Sequence, residues 1–222
     1  MSNSDQKPGM NMDLASRSIW ITWFIDGLEK YLSVTEAQME EAQRLECQTL
    51  RLQGPASEDE EGIDEFRREI ASLNNLYELN LIPATRYSFV VLLHILLETQ
   101  LRVFCADLQI QRGLPKISVK DFRGSAVEQA ELFLSKLAGV RPQDFPEWEQ
   151  LRTLQKVRAC VVHTYGRVDE SRDENFLREL TKKGVGLSIG YEGRISVNKV
   201  FCEQQLINLR NLFQQLFTAV GW

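Results

Sequence analysis

An arginine and a histidine in the string Val157-Arg158-Ala159-Cys160-Val161-Val162-His163-Thr164-Tyr165 are the side chains of this 222-residue chain best suited to chemistry. Arg158 offers a planar, permanently charged fork that matches phosphate oxygens, and the imidazole of His163 can give or take a proton near neutral pH. On a helix turning about 100° per residue the two lie about 140° apart. Leu151, Leu154, Val161, Val162 and Tyr165 fall on one face, the expected core face, and Arg158 sits near the middle of that apolar stripe. Arg152, Lys156, Ala159 and His163 form the neighbouring polar stripe. A guanidinium on a core-facing stripe is costly unless it is paired or opens into a cleft.

A partner is available upstream. In Tyr87–Leu108, an otherwise apolar run, His94 and Glu98 share one narrow arc, and Glu98 is flanked by Leu96, Leu97 and Leu101. The expectation is a polar pocket at a helix–helix seam, with His94 and Glu98 on one side and Arg158 and His163 on the other. Two readings stay open: a working site, or a structural Arg158–Glu98 pair with two histidines satisfied in the packing.

Other chemistries lack their residues. No G-x-G-x-x-G, Walker loop or G-x-S-x-G occurs. Two histidines and four scattered cysteines (Cys47, Cys105, Cys160, Cys202), with no C-x-x-C, leave no ligand set for a metal, and no cofactor is expected. The cysteines read as buried thiols of a reducing compartment. Met1–Met12 is polar and lacks the apolar run of a secretory signal, and Tyr87–Leu97, interrupted by His94 and closed by Glu98, reads as too short and polar for a bilayer span. A cytoplasmic chain with no membrane partner is the expectation. With 26 basic and 31 acidic residues, the net charge of −5 excludes broad, sequence-blind coating of nucleic acid, though not a small basic cleft.

The elements that must position these residues are helical. Asp13 caps a long helix to about Leu52, in which Ile19, Trp20, Trp23, Phe24, Leu28, Tyr31 and Leu32 recur at helical spacing. The aromatic trio, Trp20, Trp23 and Phe24, reads as core or dimer interface. Gly54-Pro55 ends the helix, and an acidic linker spans residues 58–65. Helices follow over Ile63–Leu81, with a break or kink at Pro83, then Thr85–Gln111, Val127–Leu137 and Phe145–Tyr165, the last closed by Gly166. Val185–Ile189 and Arg194–Val197 alternate around Tyr191-Glu192-Gly193 as a small β-hairpin, and Asn198–Val220 forms the last helix. The fold class expected is all-α: a helical bundle with a long N-terminal helix and one hairpin before the last helix. The organisation expected is an N-terminal segment (1–57), the linker, and a helical domain (66–222) able to pack with residues 13–53.

The string LRTLQKVRACVVHTYGRV (Leu151–Val168) resembles the signature helix of the HEPN superfamily, R-x4–6-H. Tyr87–Leu108 looks like the preceding HEPN helix with its embedded acid, here Glu98. Lys120–Leu151 and Ile195–Phe217 look like the connecting segment and last helix of larger bacterial members, so the resemblance covers roughly residues 60 to 220. It implies a bundle that dimerises through the Phe145–Tyr165 helix and acts as a metal-independent endoribonuclease in toxin or antiphage defence, with an antitoxin or defence-system partner. His163 would then serve as base on a ribose 2′-hydroxyl or acid on the leaving 5′-oxygen. Arg158 would hold the scissile phosphate, Glu98 would orient Arg158, with His94 in support, and Arg152 and Lys156 would grip the RNA backbone. Ala159 stands where the family usually has a polar residue, which favours the alternative: a non-catalytic HEPN module that binds RNA or nucleotide or assembles protein partners. Tyr165 completes R-x4-H-x-Y, a pattern whose tyrosine can accept AMP in one toxin–antitoxin class. The simpler reading is an aromatic packed at the helix end.

Overall fold

A computed structural model describes residues 13–221, with the backbone alone at Tyr191. The expectation drawn from Met1–Met12 lies outside the described residues. The chain is mostly helical (78%), with one two-stranded antiparallel hairpin before the last helix.

The first helix, α1, is Leu14–Gln53. Its buried side chains, Leu14, Ile21, Ile25, Leu32, Glu36 and Cys47, form a narrow stripe. Trp20, Trp23 and Phe24 lie off that stripe and are 43%, 62% and 40% exposed, which rules out the core. They pack on one another instead, Trp20 edge-on to Trp23 at 5.6 Å and Trp23 to Phe24 at 5.3 Å.

The second helix, α2 (Glu60–Asn75), begins inside the stretch expected as a linker. Asp59 caps it by accepting the Gly62 N–H at 2.8 Å, and Glu60 and Glu61 sit where the helix dipole favours negative charge. The same acidic residues that suggested a solvated connector therefore start a helix. No break follows at Pro83. A π-helical turn, Leu76–Leu81, joins α2 to α3 (Ile82–Gln111) without a gap, and Pro83, whose ring and missing N–H disturb an ordinary helix interior, directly follows that widened turn. The helical run Glu60–Gln111 is long and apolar enough to cross a membrane by length and composition, a test that a buried core helix also passes. Half of its most apolar window is buried inside the protein.

Ser125 and Glu128 form a capping box that starts α4 (Ala126–Phe133), which continues as a π turn, Leu134–Ala138, closed by Gly139 in the left-handed conformation. Next come α5 (Pro146–Thr164), α6 (Glu174–Lys182), β1 (Leu187–Ile189), β2 (Ile195–Val197) and α7 (Lys199–Ala219). The strands pair Leu187 with Val197, Ser188 with Ser196 and Ile189 with Ile195.

The chain divides into two compact units. One comprises the residues up to Asp26, Leu93–Gln155 and those from Gln205 onward. Leu97, Leu101, Phe104, Phe133, Leu151, Leu154, Leu212 and Leu216 form its core, Phe104 meets Phe217 edge-on at 5.2 Å, and Arg17 is paired with the buried Asp107 at 2.7 Å. The other comprises Gly27–Leu92 and Lys156–Gln204, with Phe89, Val157, Cys160, Leu177, Leu187, Ile195 and Phe201 inside. There the buried Glu36 takes two hydrogen bonds from Arg86, at 2.7 and 2.9 Å. All four cysteines are free and buried.

Candidate functional site

The buried face of α5 is made by Leu151, Leu154, Val157, Cys160 and Val161. Val162 and Tyr165, expected on the core face, are 46% and 62% exposed. The stripe is centred nearer Val157 and Cys160 than the sequence suggested, so Arg158 lies at its edge, half-buried. The Nε of Arg158 is nevertheless shielded from solvent and has no hydrogen-bond partner among the described residues. The half-buried guanidinium as a whole has no hydrogen bond or ion pair among the described residues, so the part of it that reaches solvent is open to an incoming acceptor. His163 stands exposed in the last turn of α5.

That turn is tied down closely. The Thr164 hydroxyl donates to the Cys160 carbonyl at 2.8 Å, and the Gly166 N–H reaches back to the same carbonyl at 3.1 Å. Tyr165 is left-handed, with φ 51°, an uncommon conformation for an aromatic residue, and Gly166 follows at φ 83°. The Gly166 carbonyl accepts the Ile195 N–H at 2.8 Å, and the Val168 N–H donates to Gly193 at 3.1 Å, so the chain leaving α5 runs along β2. The Tyr165 ring stands edge-on to Tyr87 at 6.3 Å, with the Arg194 guanidinium over it at 4.7 Å. Tyr87 is buried, its hydroxyl donates to the Ile195 carbonyl, and burial pushes its phenol up to about 12. Burial also raises the Cys160 thiol, which removes it as a nucleophile next to His163.

The other expected residues fall into place differently. His94 is 2% exposed, and its Nδ1 lies 3.9 Å from Glu98, one turn along α3. His94 and Glu98 belong to one compact unit, whereas Arg158, His163 and Tyr165 belong to the other. Arg152 donates to Glu131 at 2.8 Å, sharing that carboxylate with the indole N–H of Trp148 at 2.9 Å. Lys156 is held by Asp173 at 3.2 Å and lies 3.9 Å above the Phe176 ring. Both cations expected to grip RNA thus already have an acidic partner. Among the described residues, no three His, Cys, Asp or Glu side chains gather as metal ligands.

The structure also brings in residues that sequence reasoning passed over. His163 opens into a cavity of about 530 Å3 whose wall is completed by Ala159, Thr164, Glu170, Ser171, Arg172 and Asp173. Arg158 does not line it. The segment between α5 and α6 carries no periodic pattern. The only signal it offered was the density of charge in Asp169–Glu174 beside a candidate histidine.

Comparison of the chain with protein-family models, with curated proteins and with solved structures gives no match. Function is therefore argued from the side chains themselves.

Proposed function

We propose that the protein is a metal-independent endoribonuclease of the HEPN type, with Arg158 and His163 as its working residues. The observation that carries this is the unpartnered, half-buried guanidinium of Arg158, five positions before an exposed histidine on the same helix. An RNA phosphate oxygen is a suitable acceptor for that donor, and the bond strengthens as charge develops on the phosphorus-bound oxygens. His163 takes the proton from a ribose 2′-hydroxyl. The freed oxygen attacks the adjacent phosphorus, the bond to the 5′-oxygen breaks, and a proton returned to that oxygen completes the leaving group. The products are a 2′,3′-cyclic phosphate and a 5′-hydroxyl, and no step consumes an ion or cofactor. Because Arg158 and His163 lie about 140° apart on one helix, a homodimer through α5 is part of the proposal, Arg158 of one copy serving His163 of the other. Action in the cytoplasm, within a toxin–antitoxin or antiphage system, follows from the same HEPN resemblance.

The test is incubation of the purified protein with labelled total RNA in EDTA, beside Arg158→Ala and His163→Ala. Cleavage abolished by either substitution is expected. No cleavage under any condition, together with no toxicity on expression, refutes it.

One observation favours a second reading. With Arg152 and Lys156 engaged by Glu131 and Asp173, and with Ala159 in place of a polar residue one turn before His163, little remains beside the histidine to drive turnover. A non-catalytic HEPN module that binds RNA or nucleotide, or assembles partners, predicts RNA bound uncut and released by Arg158→Ala.

A further inference from the structure

The cavity beside His163 carries both acids and a cation. Asp173 is held by Lys156 at 3.2 Å, and Glu170 lies 3.1 Å from Arg167, which it shares with Asp169 at 3.0 Å. Arg172 is exposed on the same wall and has no hydrogen bond or ion pair among the described residues. Arg172 is thus a lining cation left unpaired, on the same cavity as the exposed imidazole of His163. The Ser171 hydroxyl adds a group able to donate to oxygen, whereas that of Thr164 is committed to the Cys160 carbonyl. Ala159, where a larger side chain would project from α5, leaves the space open, and about 530 Å3 is ample for a phosphate and the sugar attached to it. An unpaired guanidinium, an exposed imidazole and a hydroxyl around one hollow suit a phosphate oxygen.

We infer that this cavity binds a phosphate group of a nucleotide chain, with Arg172 as the residue that holds it and His163 alongside. The assignment rests on the ribonuclease reading for the source of the phosphate, the RNA strand. It places a backbone phosphate next to the proton-transfer group within a single chain, independently of Arg158. Ala159 thereby acquires a role as the residue whose small size admits the ligand.

The chain's two histidines make the test direct, because one is exposed in the cavity and the other, His94, is buried and serves as internal reference. The imidazole carbon-bound protons are followed by NMR at fixed pH and ionic strength. Inorganic phosphate is titrated first, then a 2′-O-methyl RNA tetranucleotide, which cannot be cut. Both should shift the His163 signal saturably and leave His94 in place, the tetranucleotide acting at lower concentration. Arg172→Gln, at an exposed position, should weaken both at least tenfold, and Ala159→Leu should abolish the tetranucleotide response. Shifts that do not saturate, or that Arg172→Gln leaves unchanged, overturn the assignment. RNA cleavage that needs Arg158 and His163 but survives Arg172→Gln intact overturns it too, while leaving the ribonuclease standing. Phosphate binding lost in Arg172→Gln, in a protein that cuts no RNA, keeps the cavity and removes the ribonuclease.

Discussion

Gly166→Ala is the substitution whose cost can be worked most closely, and it probes how firmly the end of α5 is held. Gly166 has φ 83°, and a Cβ built on it would stand 2.3 Å from the Tyr87 hydroxyl oxygen and 2.9 Å from the ring carbon bearing it. Tyr87 cannot simply retreat, because it is buried and its hydroxyl is bonded to the Ile195 carbonyl. Nor can the turn shift freely, since the Gly166 carbonyl holds the Ile195 N–H at 2.8 Å. The left-handed backbone costs alanine about 1 kcal/mol. Relieving the clash adds roughly 1–1.5 kcal/mol through the lost Tyr87 hydrogen bond and about 1 kcal/mol for a ring pushed off its rotamer. The sum is a loss of about 2–4 kcal/mol. Urea unfolding followed by far-UV circular dichroism, with m unchanged, measures it. Tyr87→Phe removes the nearer of the two clashing atoms, so the double variant should be more stable than the sum of the single losses by about 1 kcal/mol. A cost of Gly166→Ala below about 0.5 kcal/mol, or strictly additive losses, would refute the account of how the turn is fixed.

Two further outcomes are expected. Glu36→Ala leaves the largely buried Arg86 guanidinium without its carboxylate and should cost about 3 kcal/mol, whereas Glu36→Leu with Arg86→Met should come close to neutral. Thermal unfolding of the three proteins checks this, and a single variant as stable as the parent speaks against it. The Tyr87 phenol, raised to about 12 by burial, stays protonated in the folded chain where an unfolded one ionises near 10. Its stabilising contribution is therefore complete below about pH 10 and is lost as pH rises toward 12, so ultraviolet titration should show Tyr87 ionising late and together with unfolding, alongside Tyr77, whose phenol is raised by its hydrogen bond to Glu46. A smaller late step in Tyr87→Phe identifies its share.

Periodicity made most of this fold readable. The apolar runs of α3, α5 and α7 and the alternation around Tyr191-Glu192-Gly193 produce elements within a few residues of their expected bounds. What it missed has physical causes. The nine residues of α6 hold only Phe176, Leu177 and Leu180 among charged neighbours, too few turns for a stripe to stand out. The aromatics of α1 recur at helical spacing but lie off the face that is buried, since spacing identifies a helix without saying which side meets a core. At the candidate site, Arg158 and His163 were legible as residue types at a spacing. The engagement of Arg152 and Lys156 depends on Glu131 and Asp173, acids remote in sequence that only the fold brings near. Arg172 was illegible for a related reason: a cation in an aperiodic segment becomes notable only once the fold shows it unpaired on a cavity wall.

The π turn at Leu76–Leu81 has a consequence for how this chain can change length. A π turn takes one residue more than an α turn over nearly the same rise, so a surplus residue is stored between α2 and α3 without interrupting the rod. Loss of a single residue from that turn would let it close into ordinary α-helix while the faces on either side keep their phase. Elsewhere along α2 and α3 one residue gained or lost would rotate every following side chain by about 100° and turn the buried face out. That turn is therefore where length variation in this rod is best absorbed.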